Sequence, residues 1–198
     1  MAETRQIAAI VLAAGFSRRF GEANKLQAEM HGDSVLAHSL RAYQAAPVAR
    51  KIAVTQAASP LAPLCHDAGF ETVDNLRAED GMGTSIATAM QRLGDETHVL
   101  IGLADMPRLR PETVNLLCAQ ADDTANRIII PTHEGARGHP RLFGRAHFAA
   151  LAQLTGDKGG KEIIAACPNC RALAVDDAGI LLDIDTPDQF AALAASTS

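Results

Sequence analysis

Ile7-Ala8-Ala9-Ile10-Val11-Leu12 runs directly into Ala13-Ala14-Gly15-Phe16-Ser17-Arg18-Arg19-Phe20-Gly21, and this stretch decides the fold. Its first six residues are apolar and partly β-branched, with no polar alternation, which suits a strand buried on both faces as in parallel sheets. Small residues and a glycine follow at once. They let the backbone come close to a ligand, so successive amide N–H groups can point at phosphate oxygens. The run is too short for the ~18–20 apolar residues of a membrane span. The start, Met1 to Gln6, carries charges of both signs and lacks the apolar core of a signal peptide. A cytoplasmic location is expected.

Outward from that strand the chain alternates strands and helices. Ser34–Ala46 has apolar residues at Val35, Leu36, Leu40 and Tyr43, a helical spacing, and Pro47 closes it. Lys51–Thr55 reads as a strand, Pro60–Ala68 as a helix, and Thr72–Val73 as a short strand. Gly81–Gly83 opens a helix with Ile86, Met90 and Leu93 on its apolar face. His98–Leu103 is a strand, and Pro111 starts a helix carrying Val114, Leu117, Cys118 and Ala121 inward. Strands are expected at Arg127–Pro131, Arg141–Phe143, Ala172–Val175 and Ile180–Ile184. Helices are expected at Phe148–Leu154, Lys161–Ala166 and Pro187–Ala195. This order predicts an α/β fold, a doubly wound, mostly parallel sheet with helices on both faces. No linker, repeat or composition shift divides residues 1–198, so one domain is expected.

The 198 residues suffice to bury a core without disulfides. A net charge of −5 argues against general nucleic-acid binding, so a polyanionic ligand would need a local basic cluster such as Arg18, Arg19 and Lys25. Of the four cysteines, Cys65 and Cys118 fall in helices as apolar filling. Cys167 and Cys170 form a Cys-x-x-Cys pair without the two further ligands that a zinc site normally needs.

Four segments carry candidate chemistry. The loop from Leu12 to Lys25 offers backbone donors, the two-pronged guanidinium of Arg19 and the point charge of Lys25. It is neither a Walker loop nor a dinucleotide fingerprint. Asp105 follows a strand and precedes Met106-Pro107, a place suited to holding Mg²⁺. Asp183 and Asp185 flank Ile184, so an extended chain turns both carboxylates to one side. Helix capping explains Asp185 or Thr186 but not the acidic pair. The turn Gly135-Ala136-Arg137-Gly138-His139-Pro140 could position a second substrate, although a lone His is more often a structural hydrogen-bonder.

Together these segments resemble the molybdenum-cofactor nucleotidyltransferases, the MobA-like family, and within it the MocA or cytidylyltransferase type. The matching elements are Leu-Ala-Ala-Gly-x-Ser-x-Arg-x-Gly-x-x-x-Lys, Ala-Asp-Met-Pro, Gly-His-Pro and Leu-Asp-Ile-Asp-Thr-Pro. Gly81-Met82-Gly83-Thr84-Ser85 and Thr155-Gly156-Asp157-Lys158-Gly159 match as well. The Cys167–Cys170 stretch does not.

The resemblance implies that Leu12, Ala13, Ala14, Gly15, Ser17, Arg19 and Lys25 bind the nucleotide, with Asn75, Gly81, Gly83 and Ser85 near its base and ribose. It implies that Arg19, Lys25 and Asp105 are catalytic and that Asp105 and Asp185 hold Mg²⁺. Arg137, Gly138 and His139 would face the pterin. Ala-Ala-Gly before the serine goes with cytidine in this family, whereas the guanylyl enzymes tend to carry a glycine pair. The implied reaction is transfer of CMP from CTP to the terminal phosphate of molybdopterin, releasing pyrophosphate. The implied further partner is a recipient molybdoenzyme or its chaperone, with neither nucleic acid nor membrane involved. The rival readings are the same chemistry with GTP or on a sugar phosphate, and a non-catalytic module that delivers a cofactor. A dehydrogenase is disfavoured because Gly81-x-Gly83-x-x-Ile86 lacks the third glycine.

Overall fold

A computed structural model describes residues 6–21, 24–157 and 159–196. Residues 1–5 of the mixed-charge start, Glu22 and Ala23 of the first loop, and Lys158 lie outside them. The chain begins with β1 (Ile7–Leu12), β2 (Glu29–Met30), β3 (Asp33–Ser34), α1 (Val35–Gln44), β4 (Arg50–Gln56), α2 (Ala62–Asp67) and β5 (Glu71–Asn75). It continues through α3 (Met82–Met90), β6 (His98–Leu103), α4 (Pro111–Ala119), β7 (Ile128–His133), β8 (Ala136–Arg137) and β9 (Arg141–Gly144). The last elements are α5 (Phe148–Leu151), α6 (Lys161–Ala166), β10 (Cys170–Ala174) and α7 (Pro187–Ala195).

Among the described residues one eight-stranded sheet runs in the order β10-β7-β9-β6-β1-β4-β5, with β8 paired to β7. β1 lies parallel between β4 and β6, with Ile10 opposite both Ile52 and Ile101. β9 is antiparallel to β6 and β7, so the sheet is mixed but mostly parallel. The fold class read from the sequence is the one observed. β1 is buried on both faces, as its uninterrupted apolar run requires. Ile7, Ala9 and Val11 pack with α1, α2, α4 and α7, whereas Ala8 and Ile10 pack with α3, α5 and α6.

Local signals set the helix ends. The Ser34 side chain accepts a hydrogen bond from the Ala37 amide at the start of α1. Thr186 and Gln189 form a capping box at the start of α7, with Pro187 in its first turn. No helix among the described residues is long and apolar enough to cross a membrane.

One expected strand is absent. Residues 178–181 form a short 3-10 turn, and residues 182–186 form no strand and do not pair in the sheet. Ile180 and Ile184 are apolar, but their backbones serve other partners. The His139 amide donates to the Ile180 carbonyl at 3.0 Å, and the Ile184 amide donates to the Asp105 carbonyl at 3.0 Å. The Asp177 carboxylate also accepts from the Gly179 amide at 2.9 Å and tightens the turn.

The strand order reverses direction about β1. β4 and β5 extend to one side, and β6 to the other. In open α/β sheets such a switch point leaves a crevice beyond the carboxyl ends of the strands, where ligands bind. Here that crevice lies past Leu12 and Leu103.

Candidate active site

A cleft of about 600 Å³ opens at that point. From the first loop it is lined by Leu12, Ala14, Gly15, Ser17, Arg19 and Lys25, together with Phe16 and Arg18. Gly81 and Ser85 line the α3 side, and Asp105, Asp183 and Asp185 line the opposite wall. Both late carboxylates line the cleft, while Ile184 between them is fully buried.

Charge is concentrated on one cluster. Lys25 Nζ lies 2.5 Å from Asp105 Oδ2 and 3.2 Å from Asp185 Oδ1, and Arg19 Nη2 reaches Asp185 Oδ2 at 2.7 Å. Lys25 and Asp105 are largely shielded from water, with side-chain exposures of 12% and 14%. Arg19 is 71% exposed, so its pair contributes only about 0–1 kcal/mol and is readily exchanged for a ligand. Burial raises the Asp105 pKa above the usual carboxylate range; Lys25 pulls it back down and Asp183 pushes it up. Asp105 Oδ1 is buried without a hydrogen-bond partner.

That orphaned oxygen is what a hard divalent cation would use. Among the described residues no three His, Cys, Asp or Glu side chains form a metal-holding group. The protein would therefore supply Asp105 and Asp185 and leave the other positions to water and substrate oxygens, the usual arrangement for Mg²⁺. The donor set fits.

Several expected site residues do not line the cleft. Ala13 is buried in the core on the opposite face of the sheet. Asn75 is buried behind the wall, donating to Thr84 Oγ1 and Ser85 Oγ at 2.9 Å each, and so supports α3 from below. The Gly83 amide donates to the Gly156 carbonyl at 2.8 Å, and a Cβ there would meet the Thr155 and Gly156 carbonyls. Its lack of a side chain lets the 155–157 segment pack against α3. Arg137 is exposed on β8 away from the cleft. Gly138 lies against Ile180, leaving no room for a Cβ. His139 lines a recess beside the cleft.

Residues 9–172 match the MobA-like NTP transferase domain. The chain belongs to that family. Molybdenum cofactor cytidylyltransferase of Escherichia coli (strain K12) is 28% identical over 110 residues, covering 56% of this chain and 55% of that protein. Bifunctional protein GlmU of Corynebacterium jeikeium (strain K411) is 30% identical over 165 residues, covering 79% of this chain and 34% of that protein. The chain thus spans about half the length of one curated relative and about a third of the other. The crystal structure of Rv0371c from Mycobacterium tuberculosis H37Rv in complex with manganese superposes with a TM-score of 0.77 at 27% identity. That match covers 97% of this chain and 100% of the other.

Three side chains support this MobA-like site, and two of them, Gln56 and Asp177, were not singled out from the sequence. Gln56, at the carboxyl end of β4, donates from Nε2 to the carbonyls of Ala14 and Gly15 at 3.2 and 3.3 Å. It thereby turns those carbonyls away and leaves the loop amides for a ligand. Ser17 Oγ accepts from the Lys25 amide at 3.2 Å and draws the two ends of the loop together. Asp177 accepts from the Arg110 amide, Thr113 Oγ1 and the Gly179 amide at 3.0, 2.6 and 2.9 Å. It joins the start of α4 to the turn that leads into Asp183 and Asp185. Its position in the chain carries no signal, because its partners on α4 are remote in sequence.

Asp177→Ala leaves three donors unpaired, two of them buried with it. The expected loss is about 3 kcal/mol, a fall of ~6–12 °C in melting temperature for a domain of this size. Thermal unfolding measures it. A shift below ~2 °C would show that Asp177 is not a structural tie.

Proposed function

We propose that the chain transfers CMP from CTP to the terminal phosphate of molybdopterin, releasing pyrophosphate. The observation that carries this reading is the meeting of Lys25, Asp105 and Asp185 at the mouth of the Leu12–Arg19 loop. Loop amides, Arg19 and Lys25 bind the triphosphate. Asp105 and Asp185 hold Mg²⁺, which when bound offsets charge on the phosphates. An oxygen of the acceptor phosphate attacks the α-phosphorus as the bond to the β-phosphate oxygen breaks. The attacking group is already anionic, so no strong general base is required. Catalysis then rests on alignment of two polyanions and on charge placed where the pyrophosphate develops.

Cytidine is supported by the Ala13-Ala14-Gly15 sequence and by the similarity to the E. coli cytidylyltransferase. Only Ala14 of the alanine pair lines the cleft, so its methyl group is the one a nucleotide would meet. The four nucleoside triphosphates, each with Mg²⁺ and molybdopterin, are to be compared by pyrophosphate release. Turnover with CTP alone is expected. A preference for GTP, or turnover only with a sugar 1-phosphate as acceptor, would overturn the reading.

A further inference from the structure

The turn between α6 and β10 carries Cys167 and Cys170, which take no part in the transferase cleft. We infer that this pair is a thiol–disulfide exchange site for a low-molecular-weight disulfide, in which Cys167 attacks and Cys170 closes the internal disulfide. The site lies at the end of the sheet opposite the cleft and does not depend on the transferase reading.

The backbone is already arranged for closure. Cys167 ends α6, Cys170 begins β10, and Pro168 and Asn169 form a turn between them. A four-residue turn brings its end Cα atoms within ~7 Å, about the reach of a disulfide. Both side chains pack against the cluster that contains Phe143, Leu151 and Ile164, so both lie on one face of the sheet. The turn is held independently of the sulfurs. The Ile128 amide donates to the Asn169 carbonyl at 3.4 Å, and Asn169 Nδ2 donates to Asn126 Oδ1 at 3.0 Å. Closing the pair therefore needs side-chain rotation and little movement of the chain. Among the described residues no His, Asp or Glu completes a metal-holding group with the two cysteines, so exchange is the chemistry they fit.

The surroundings give the two sulfurs different roles. Cys167 Sγ donates to the Asn126 carbonyl at 3.4 Å and lies 3.7 Å from His147 Nε2. That nitrogen also faces the Asn126 carbonyl at 3.1 Å, so it carries the ring proton. An N–H donor thus stands beside Cys167, where an anionic sulfur would accept from it. Burial raises the Cys170 pKa, Arg137 lowers it, and Cys167 raises it again, so Cys170 stays a thiol near neutral pH. The thiolate is the attacking form, which leaves Cys167 to react first. Its sulfur attacks one sulfur of the external disulfide, and the other half departs as a thiolate. Cys170 then gives its proton to solvent, attacks the Cys167 sulfur and expels the half still attached. The cysteine pair loses two electrons, and the external disulfide gains them as it becomes two thiols. Closure within the turn outruns a second capture from solution.

The test treats the full, reduced chain with excess oxidised glutathione and reads intact mass, free thiols and the modified peptides. Cys65 and Cys118 are silent in it, because burial pushes both thiols up to about 11. Wild type is expected to lose two of its four thiols, keep no glutathione, and recover both thiols with dithiothreitol. Cys170→Ser should retain one glutathione, on Cys167, because nothing displaces it. Cys167→Ser should be captured at least ~10-fold more slowly than Cys170→Ser. Glutathione retained on both cysteines of wild type, or faster capture at Cys170 than at Cys167, would overturn the inference. So would a wild-type chain that keeps all four thiols.

Discussion

Asp105→Asn is expected to lower turnover at least ~100-fold, the scale of losing one electrostatic contact to a transition state, or ~2.7–4 kcal/mol. The same change should leave the metal-free protein about as stable as before, within ~1 kcal/mol. The two outcomes follow from one geometry. Asp105 is buried enough that its pKa is raised despite Lys25, so its charge is held at a cost in the folded state. Asn keeps the shape and removes that cost. Lys25 retains Asp185 Oδ1 at 3.2 Å and is not left unpaired. What Asn cannot supply is the anionic Oδ1, which has no protein partner. Manganese affinity, read by electron paramagnetic resonance without nucleotide, should weaken at least ~10-fold. Pyrophosphate release and thermal unfolding on one preparation separate the effects. A large fall in melting temperature with turnover intact would make Asp105 a structural ion-pair partner and nothing more.

Why this site is legible in part from the sequence is clear from where its residues lie. Gly15, Ser17 and Asp105 closely follow strands whose apolar runs mark their own ends, so the amino-acid order alone points to the crevice at β1. The bounds of β1, β6, α6 and α7 are legible for the same reason: apolar runs closed by glycine, proline or capping residues. Ile180–Ile184 is not, because hydrophobicity cannot show that a backbone is committed to His139 and Asp105. Gly83 matches a family motif and Asn75 is expected near the base and ribose, yet both act from behind the cleft wall, a distinction that depends on side-chain direction. Gln56 and Asp177 work on backbone groups distant in sequence, and no spacing rule reaches them. Cys167 and Cys170 lie near the amino ends of β7 and β10, the end of the sheet opposite the cleft, and are free thiols.

Lys25→Ala should also cost turnover at least ~100-fold, yet with the opposite signature in stability and metal binding. Lys25 is the only cation that touches both Asp105 and Asp185 among the described residues. Removing it leaves Asp105 buried and unpaired, whereas Arg19 still reaches Asp185. The expected destabilisation is about 2 kcal/mol, below the ~3–5 of a fully buried pair because the site faces a cleft. For this size of domain that is a fall of ~4–8 °C. Its pH dependence follows from the direction of the Asp105 shift, which loss of Lys25 carries further upward. An acid whose folded pKa exceeds its unfolded value penalises the fold above the folded pKa and sheds the penalty as pH falls toward the unfolded one. The deficit against wild type should therefore be larger at about pH 8 than at about pH 5. Mg²⁺ or Mn²⁺ should raise the melting temperature of the variant more than that of wild type, because the ion no longer competes with an ammonium for the same carboxylate oxygens. A deficit that is independent of pH and unrelieved by either ion would mean that Lys25 stabilises the loop by packing and takes no part in neutralising the carboxylates.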